Sequence, residues 1–367
     1  MRSLLVTGAA GFIGSNFVDY WLREHSDDRI LALDALSYAG NLASLDEASA
    51  NPRFRFVQGN ICDRGLVERL LRDALPDTIV HFAAESHVDR SIAAPEIFVQ
   101  TNVLGTQCLL EGARKVWLDE GAVAHHRFHH VSTDEVFGSL RATDPPSTES
   151  SPYAPNSPYA ASKAAADHLV RAYHRTYGLS TTISNCSNNY GPRQFPEKLI
   201  PLMIVNILHA KKLPIYGDGR NVRDWLHVED HCRGIEAILS RGVPGETYNI
   251  GGRCETENLA LVQQLCVAVD ELFAAQPHLR TRFPDCPAAR GATAVSLMSF
   301  VADRPGHDRR YAIDCSKIES ELSFALRSDL QTGLRDTLLW YLENEGWWRR
   351  VMDGSYRQWV EAQYGGS

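Results

Sequence analysis

Leu4-Leu5-Val6-Thr7-Gly8-Ala9-Ala10-Gly11-Phe12-Ile13-Gly14 is the stretch whose reading decides the fold. Its first four residues read as a short buried strand. Three glycines follow, and a helical pattern then continues through Phe17, Val18, Trp21 and Leu22. Strand, glycine turn and helix in that order make a dinucleotide site, because glycine lets the backbone approach a pyrophosphate at a helix N-terminus. The spacing is Gly-x-x-Gly-x-x-Gly, so a tight turn with close helix packing is the plainer alternative. A second strand, 30–33, ends at Asp34. That acid lies about 20 residues past the glycines, where a carboxylate would hold an adenosine ribose diol. It would repel a 2′-phosphate, which favours NAD over NADP.

Further strands are predicted at 54–57, 78–84, 128–131 and 181–185, and helices at 66–75, 95–117 and 159–177. The alternation indicates an α/β fold: a Rossmann-type, doubly wound parallel sheet. Ligands of such sheets sit beyond the strand C-termini. Gly8, Asp34, residues 83–86 and Thr133-Asp134-Glu135 all fall there. The loop with Asn60 and Ile61 is placed to reach an adenine. Residues 248–252 read as a strand returning to the main sheet, and 259–273 as an amphipathic helix. These assign 1–187 and 225–251 to a cofactor domain. Residues 188–224 and 252–367 form a smaller C-terminal α/β substrate lobe.

The chemistry concentrates between Val131 and Lys163. A hydroxyl and two carboxylates, Thr133-Asp134-Glu135, follow the 128–131 strand, and Tyr159 precedes Lys163 by four residues in an Ala-rich helical run. Residues four apart share a helix face, so an ammonium can sit beside the phenol. Free Tyr ionises near ~10, and a neighbouring cation favours the phenolate. Such a Tyr can take a proton from a sugar hydroxyl while a hydride leaves the same carbon. Neighbouring carboxylates would point opposite ways in a continuing strand, so the strand is expected to stop near Thr133. Capping by Thr133 or Asp134, with Tyr159 in the core, is the plainer reading of each fragment alone.

Composition sets the limits. The 367 residues are 44% hydrophobic and 22% charged, enough for one large domain and a smaller lobe. A net charge of −8 argues against nucleic-acid or anionic-membrane partners. Eight cysteines without a Cys-x-x-Cys pair suit reduced thiols and a cytoplasmic location. Neither a leader nor an apolar run long enough for a bilayer is apparent. His125, His126, His129 and His130 lack a Cys or carboxylate to complete a metal set, so no metal is expected and they read as solvated or sheet-edge residues. Residues 213–225 offer Arg220, Arg223 and aromatics to a nucleotide diphosphate, or form a charged surface hairpin. Residues 277–292 look like an inserted surface loop. The cation-dense stretch 303–311 suits phosphate contacts. Trp340, Trp347, Trp348 and Trp359 read as packing residues.

Taken together, these residues resemble the extended short-chain dehydrogenase/reductases, and within them the sugar-nucleotide 4,6-dehydratases, over nearly the whole chain. The general marks are the glycine motif and Tyr159-x-x-x-Lys163. The specific ones are Thr133-Asp134-Glu135, Glu197-Lys198-Leu199-Ile200-Pro201, Arg223-Asp224-Trp225 and 303–307. The Asp-Glu pair discriminates, since an epimerase has no elimination to catalyse. The resemblance implies an NAD-dependent lyase acting on dTDP-glucose. UDP-glucose, or a non-catalytic NAD- and sugar-nucleotide-binding protein, stays open as an alternative. It implies Tyr159 as base at O4, with Lys163 lowering its pKa and holding the nicotinamide ribose, and Thr133 bonding near O4. Glu135 becomes the base at C5, and Asp134 the acid at the C6 hydroxyl. Gly8, Gly11, Phe12, Ile13, Gly14, Asp34, Ala35, Leu36, Ser37, Asn60, Ile61, Phe82, Ala83, Ala84, Glu85, Ser86, Thr101, Tyr159, Lys163 and Asn189 would line the cofactor. Ser86, Thr133, Asn188, Lys198, Leu199, Pro214, Ile215, Tyr216, Arg223, Asn258, Asp303, Arg304, Pro305, Gly306 and His307 would bind substrate. A homodimer packed through the 95–117 and 159–177 helices is implied as well. Three features depart from the pattern: Asn60 replaces a common Asp, Phe137 a frequent Tyr, and the 277–299 region is longer than usual.

Overall fold

The structure is a computed structural model that describes residues 1–303 and 306–352. Arg304, Pro305 and Trp359 therefore lie outside the described residues. The strands are β1 (Ser3–Thr7), β2 (Arg29–Asp34), β3 (Phe54–Gln58), β4 (Thr78–His81), β5 (Arg127–Thr133), β6 (Thr181–Cys186), β7 (Asn188–Tyr190), β8 (Leu213–Tyr216), β9 (Val222–His227), β10 (Thr247–Ile250), β11 (Glu255–Glu257) and β12 (Met298–Val301). Seven form a parallel sheet in the order β10-β6-β5-β4-β1-β2-β3. Helices cover both faces, so β4, β6 and β10 are buried along their whole length, as parallel strands require. One face buries Phe17, Trp21 and Ile235, and the other Leu71, Leu109, Trp117 and Val170. The strand order reverses between β1 and β4, which opens a crevice above their C-terminal ends.

The helix that carries the Tyr-Lys pair runs over Pro158–Tyr177. Ser157 caps it by accepting from the Ala160 N–H, Pro158 occupies its first turn, and Gly178 closes it at φ +75°. The capping chemistry thus fixes where Tyr159 enters the site. β5 extends to Thr133, whose hydroxyl accepts from the Glu135 N–H and starts a short 3₁₀ turn, Asp134–Phe137. The expected strand end and the capping role of Thr133 both hold.

The second lobe has its own core, with Tyr190, Met203, Trp225, Phe273, Tyr341 and Trp348 among its buried members. It contains the sheet β11-β9-β7 and the parallel pair β12-β8. β9 runs across the 224/225 boundary, so one strand serves both units. The tail tryptophans pack as expected: Trp347 and Trp348 are buried.

Several expectations need correction. β4 stops at His81; the Phe82 N–H still donates to the Thr7 carbonyl at 3.1 Å, and the chain then passes close against Gly8. Residues 277–292 are no surface loop. They form a short helix, His278–Arg282, and a 3₁₀ turn, Pro287–Arg290, that bury Leu279, Phe283 and Cys286 in the lobe core. His129 and His130 are fully buried on β5, which lies between β4 and β6 instead of at an edge. The polar neighbours that satisfy His129 are Thr182 at 3.0 Å and Ser184 at 3.1 Å, and sequence distance hides them. The helix Asn258–Ala275, at 18 residues and mean hydropathy 1.3, is long and apolar enough to cross a bilayer. Its apolar face, including Leu261, Leu265, Val269 and Phe273, packs in the lobe core.

Candidate active site

Two cavities of about 440 and 410 Å³ adjoin over the strand ends. Ser86, Glu135, Asn188, Asn189, Gln194, Glu197 and Lys198 border both.

The larger cavity begins at the glycine turn. Gly8 has φ +68°, and a Cβ there would meet the Ala83 nitrogen at 2.6 Å; a Cβ on Gly14 would stand 2.1 Å from the Gly8 carbonyl oxygen. Only hydrogen fits at either position, so backbone is left bare toward the crevice. Gly11, which caps the helix Phe12–Glu24, brings no side chain to its first N–H groups. Asp34 accepts the Ala10 N–H at 2.9 Å and the Leu36 N–H at 2.7 Å, which aims its carboxylate across the turn. Bare glycine backbone, an open helix N-terminus and a fixed acid at the end of β2 fit an NAD-type dinucleotide. Gly11, Phe12, Ile13, Ala35, Ser37, Asn60, Ile61, Phe82, Ala83, Ala84, Glu85, Ser86, Thr101 and Asn189 line the same cavity. Leu36 does not: its backbone N–H serves Asp34 and its side chain turns to the hydrophobic core.

A buried amide holds the far wall. Asn102 accepts from the Glu85 N–H at 2.8 Å and donates to the Glu85 carbonyl at 3.0 Å and to Ser162 Oγ at 2.8 Å. Ser162 in turn donates to the Tyr159 carbonyl at 2.7 Å. The loop after β4 is therefore tied to the helix that presents Tyr159.

Thr133, Asp134, Glu135, Tyr159 and Lys163 all line the larger cavity, and Glu135 also faces the smaller one. Burial pushes the Asp134 carboxyl well above the usual carboxylate range, and the charges of Glu135 and Asp224 add to it. Its Oδ2 has no hydrogen-bond partner among the described residues. Burial thus favours the protonated form of Asp134, which lies beside the less buried Glu135. Burial likewise raises the Tyr159 phenol, Glu135 adds to the rise, and the Thr133 hydroxyl opposes it.

Lys163 is anchored to the strand beneath it. It shares the helix face with Tyr159, but its Nζ donates to the Val131 carbonyl at 2.8 Å and stands 3.3 Å from His130 Nε2. In this arrangement burial, not the ammonium, dominates the phenol. Burial also brings the Lys163 pKa down to about 8.

Of the residues expected at substrate, Ser86, Asn188, Lys198, Leu199, Pro214, Tyr216, Arg223, Asn258, Gly306 and His307 line the smaller cavity. Ile215 does not; it is buried in the lobe core. Asp303 stands behind His307, whose Nδ1 it meets at 2.6 Å. Arg223 lies over the Tyr311 ring at 4.5 Å. Sequence reasoning missed Tyr38, Gln194, Phe195 and Tyr311 as lining residues. Tyr38 is held by the Arg90 guanidinium, 4.0 Å above its ring, and Arg90 also pairs with the buried Glu197 at 3.2 Å. Glu197, the first residue of the 197–201 motif, is buried and borders both cavities.

A dinucleotide crevice with a Tyr-Lys pair at its floor defines a short-chain dehydrogenase/reductase, and the chain belongs to the family described as GDP-mannose 4,6 dehydratase, whose model matches residues 5–337. A dTDP-glucose 4,6-dehydratase of Neisseria meningitidis serogroup B is 52% identical over 97% of this chain and 98% of that protein. Among solved structures, dTDP-glucose 4,6-dehydratase from Streptomyces venezuelae with NAD and TYD bound is 50% identical. It superposes with a TM-score of 0.82 over 95% of this chain and 99% of that one. The Bacillus anthracis dTDP-glucose 4,6-dehydratase in complex with NAD is 44% identical, with a TM-score of 0.81 over 96% of this chain and 100% of that one.

Proposed function

We propose that this chain is an NAD-dependent hydro-lyase that converts dTDP-glucose to its 4-keto-6-deoxy product. The observation that carries the reading is the buried Asp134, its Oδ2 without a partner among the described residues, next to Glu135, both on the cavity that Tyr159 enters. NAD, when bound, supplies the reversible hydride store that lets C4 be oxidised and C6 reduced within one sugar. Tyr159 takes the O4 proton, with Thr133 positioned to hydrogen-bond that oxygen. The C4 ketone acidifies the C5 hydrogen, which Glu135 removes. Asp134 protonates the C6 hydroxyl, which leaves as water. An acid and a base on consecutive residues can reach adjacent carbons, as elimination requires. Lys198, Arg223, Asn258 and His307 are assigned to the nucleotide diphosphate and sugar. Residues 1–187 and 225–251 then hold the cofactor, and 188–224 with 252–367 the sugar nucleotide.

The test is dTDP-glucose carrying deuterium at C4. The label is expected at C6 of the same molecule; loss of label to water or to a second molecule would remove the internal redox cycle. UDP-glucose is the comparator. Thymine differs from uracil by one methyl, worth about 0.8 kcal/mol or roughly fourfold when buried. A clear preference for the uridine nucleotide would reassign the substrate.

We further propose a homodimer and a cytoplasmic site of action. Val99 and Leu104 on the helical run 95–119, and Tyr177 at the end of the Pro158–Tyr177 helix, are about half exposed, which leaves apolar surface to cover. All eight cysteines are free, as a reducing compartment favours. Light scattering is expected to give twice the 40.9 kDa chain mass; a monomer at micromolar concentration would contradict the dimer.

A further inference from the structure

A fully buried carboxylate, Asp167, has no place in the chemistry above. It lies on the helix that carries Tyr159 and Lys163, four residues beyond the lysine. Tyr159, Lys163 and Asp167 therefore form one stripe on one helix face. The stripe lies over β5, where His130 and Ser132, two residues apart, point to the same side. Ser132 donates to Asp167 Oδ2 at 2.9 Å, Tyr153 donates to it at 2.8 Å, and Asn185 Nδ2 stands 3.4 Å away. Oδ1 lies 3.3 Å from His130 Nε2, and that nitrogen is also 3.3 Å from Lys163 Nζ.

One imidazole nitrogen cannot donate to the carboxylate and accept from the ammonium at once. A proton on Nδ1 would leave a buried N–H without a partner among the described residues. A proton on Nε2 would point toward Asp167 Oδ1, 3.3 Å away in a contact that falls short of a well-aligned hydrogen bond, while Lys163 keeps the Val131 carbonyl. The imidazole is then a neutral spacer between a buried anion and a buried cation. Each ion needs the other, since an isolated charge in such a place is strongly disfavoured.

We propose that Asp167, with His130 as the spacer, is a positioning residue for Lys163: it keeps the ammonium charged and seated on the Val131 carbonyl behind Tyr159. The groups that face Lys163 are His130 from β5, Cys186 from β6, His81 from β4, and Asp167 from its own helix. Arg171 approaches Asp167 only through Tyr153, to whose hydroxyl it donates at 2.8 Å. Burial raises the Cys186 thiol to about 12 and keeps both histidines neutral, so the ionised neighbour is Asp167. Burial works against the Asp167 charge as well, but His130 beside it and the nearby charges hold its pKa below the usual range.

The inference deepens the dehydratase reading, and its test separates the two. The chain has six lysines, so the Lys163 side chain can be followed by carbon-13 NMR in the whole protein. Asp167→Asn is expected to lower its titration midpoint from about 8 by roughly one to three units. The alkaline limb of the turnover profile should move to lower pH by the same amount, because Lys163 loses its charge earlier. Tyr153→Phe removes a hydrogen bond from the same carboxylate but not its charge, and should move neither. An unmoved midpoint in Asp167→Asn, or equal shifts in both variants, would overturn the proposal. Should Asp167→Asn fail to fold, nitrogen-15 spectra of wild-type histidines decide: His130 must be the neutral Nε2–H tautomer, and the Nδ1–H form would overturn it. If wild type does not turn over dTDP-glucose, the functional reading falls while the lysine titration still judges this one.

Discussion

Glu135→Gln is expected to keep oxidation at C4 while slowing loss of the C5 hydrogen by about 10²–10⁴-fold, the usual contribution of a positioned base. The asymmetry follows from the site. Tyr159 and Thr133, the residues proposed to act at O4, are left untouched. The Glu135 charge is one of the groups that raise the Tyr159 phenol, so its removal lowers that pKa and leaves more of the phenolate available to accept the O4 proton. The amide keeps the volume of the carboxylate at the border of the two cavities, so substrate binding should change little. It has no basic oxygen for C5. Rapid mixing should therefore show reduced cofactor forming and persisting, and NMR should show the C5 hydrogen no longer exchanging with solvent. Unchanged C5 exchange in this variant would take Glu135 out of the mechanism. Equal inertness of variant and wild type would favour a binding protein.

The sheet was legible because its strands are apolar runs buried on both faces, and because glycines at 8 and 14 are demanded by backbone contacts under 3 Å. The carboxylate at Asp34 was legible from its distance past the turn. Less visible was anything fixed by residues far apart in the chain. His129 reads as a surface histidine until Thr182 and Ser184 arrive beside it from β6. Residues 277–292 read as a loop because Pro, Arg and Gly hide the spacing of Leu279, Phe283 and Cys286, whose burial depends on the helix Asn258–Ala275. The i, i+4 rule brought Tyr159 and Lys163 to one face, but it says nothing of where a long side chain ends. The Val131 carbonyl and the His130–Asp167 pair decide that, and both depend on the register of β5 against the helix. Leu36 shows the same limit at smaller scale: its neighbours line the crevice, while its φ of +52° and the bond to Asp34 accompany a side chain turned to the core.

Asp134→Asn should separate deprotonation from elimination. The wild-type carboxyl is almost fully buried, and burial, reinforced by Glu135 and Asp224, raises its pKa well above the usual carboxylate range, which favours the protonated acid. A hydroxyl leaves a carbon readily only when it departs as water, so the proton must be delivered as the C6–O bond breaks. Asn fills the same space and still offers hydrogen bonds, but it has no acidic proton. Dehydration is expected to fall by about 10²–10⁴-fold. Glu135 is intact, so C5 deprotonation continues and is reversed each time the leaving group fails to depart. The C5 position should then wash its hydrogen into deuterated solvent without loss of water. This is the opposite of the Glu135→Gln result, where neither exchange nor elimination proceeds. Together the two variants place acid and base on separate residues; an Asp134→Asn enzyme that eliminates water at the wild-type rate would instead require the C6 hydroxyl to find its proton elsewhere.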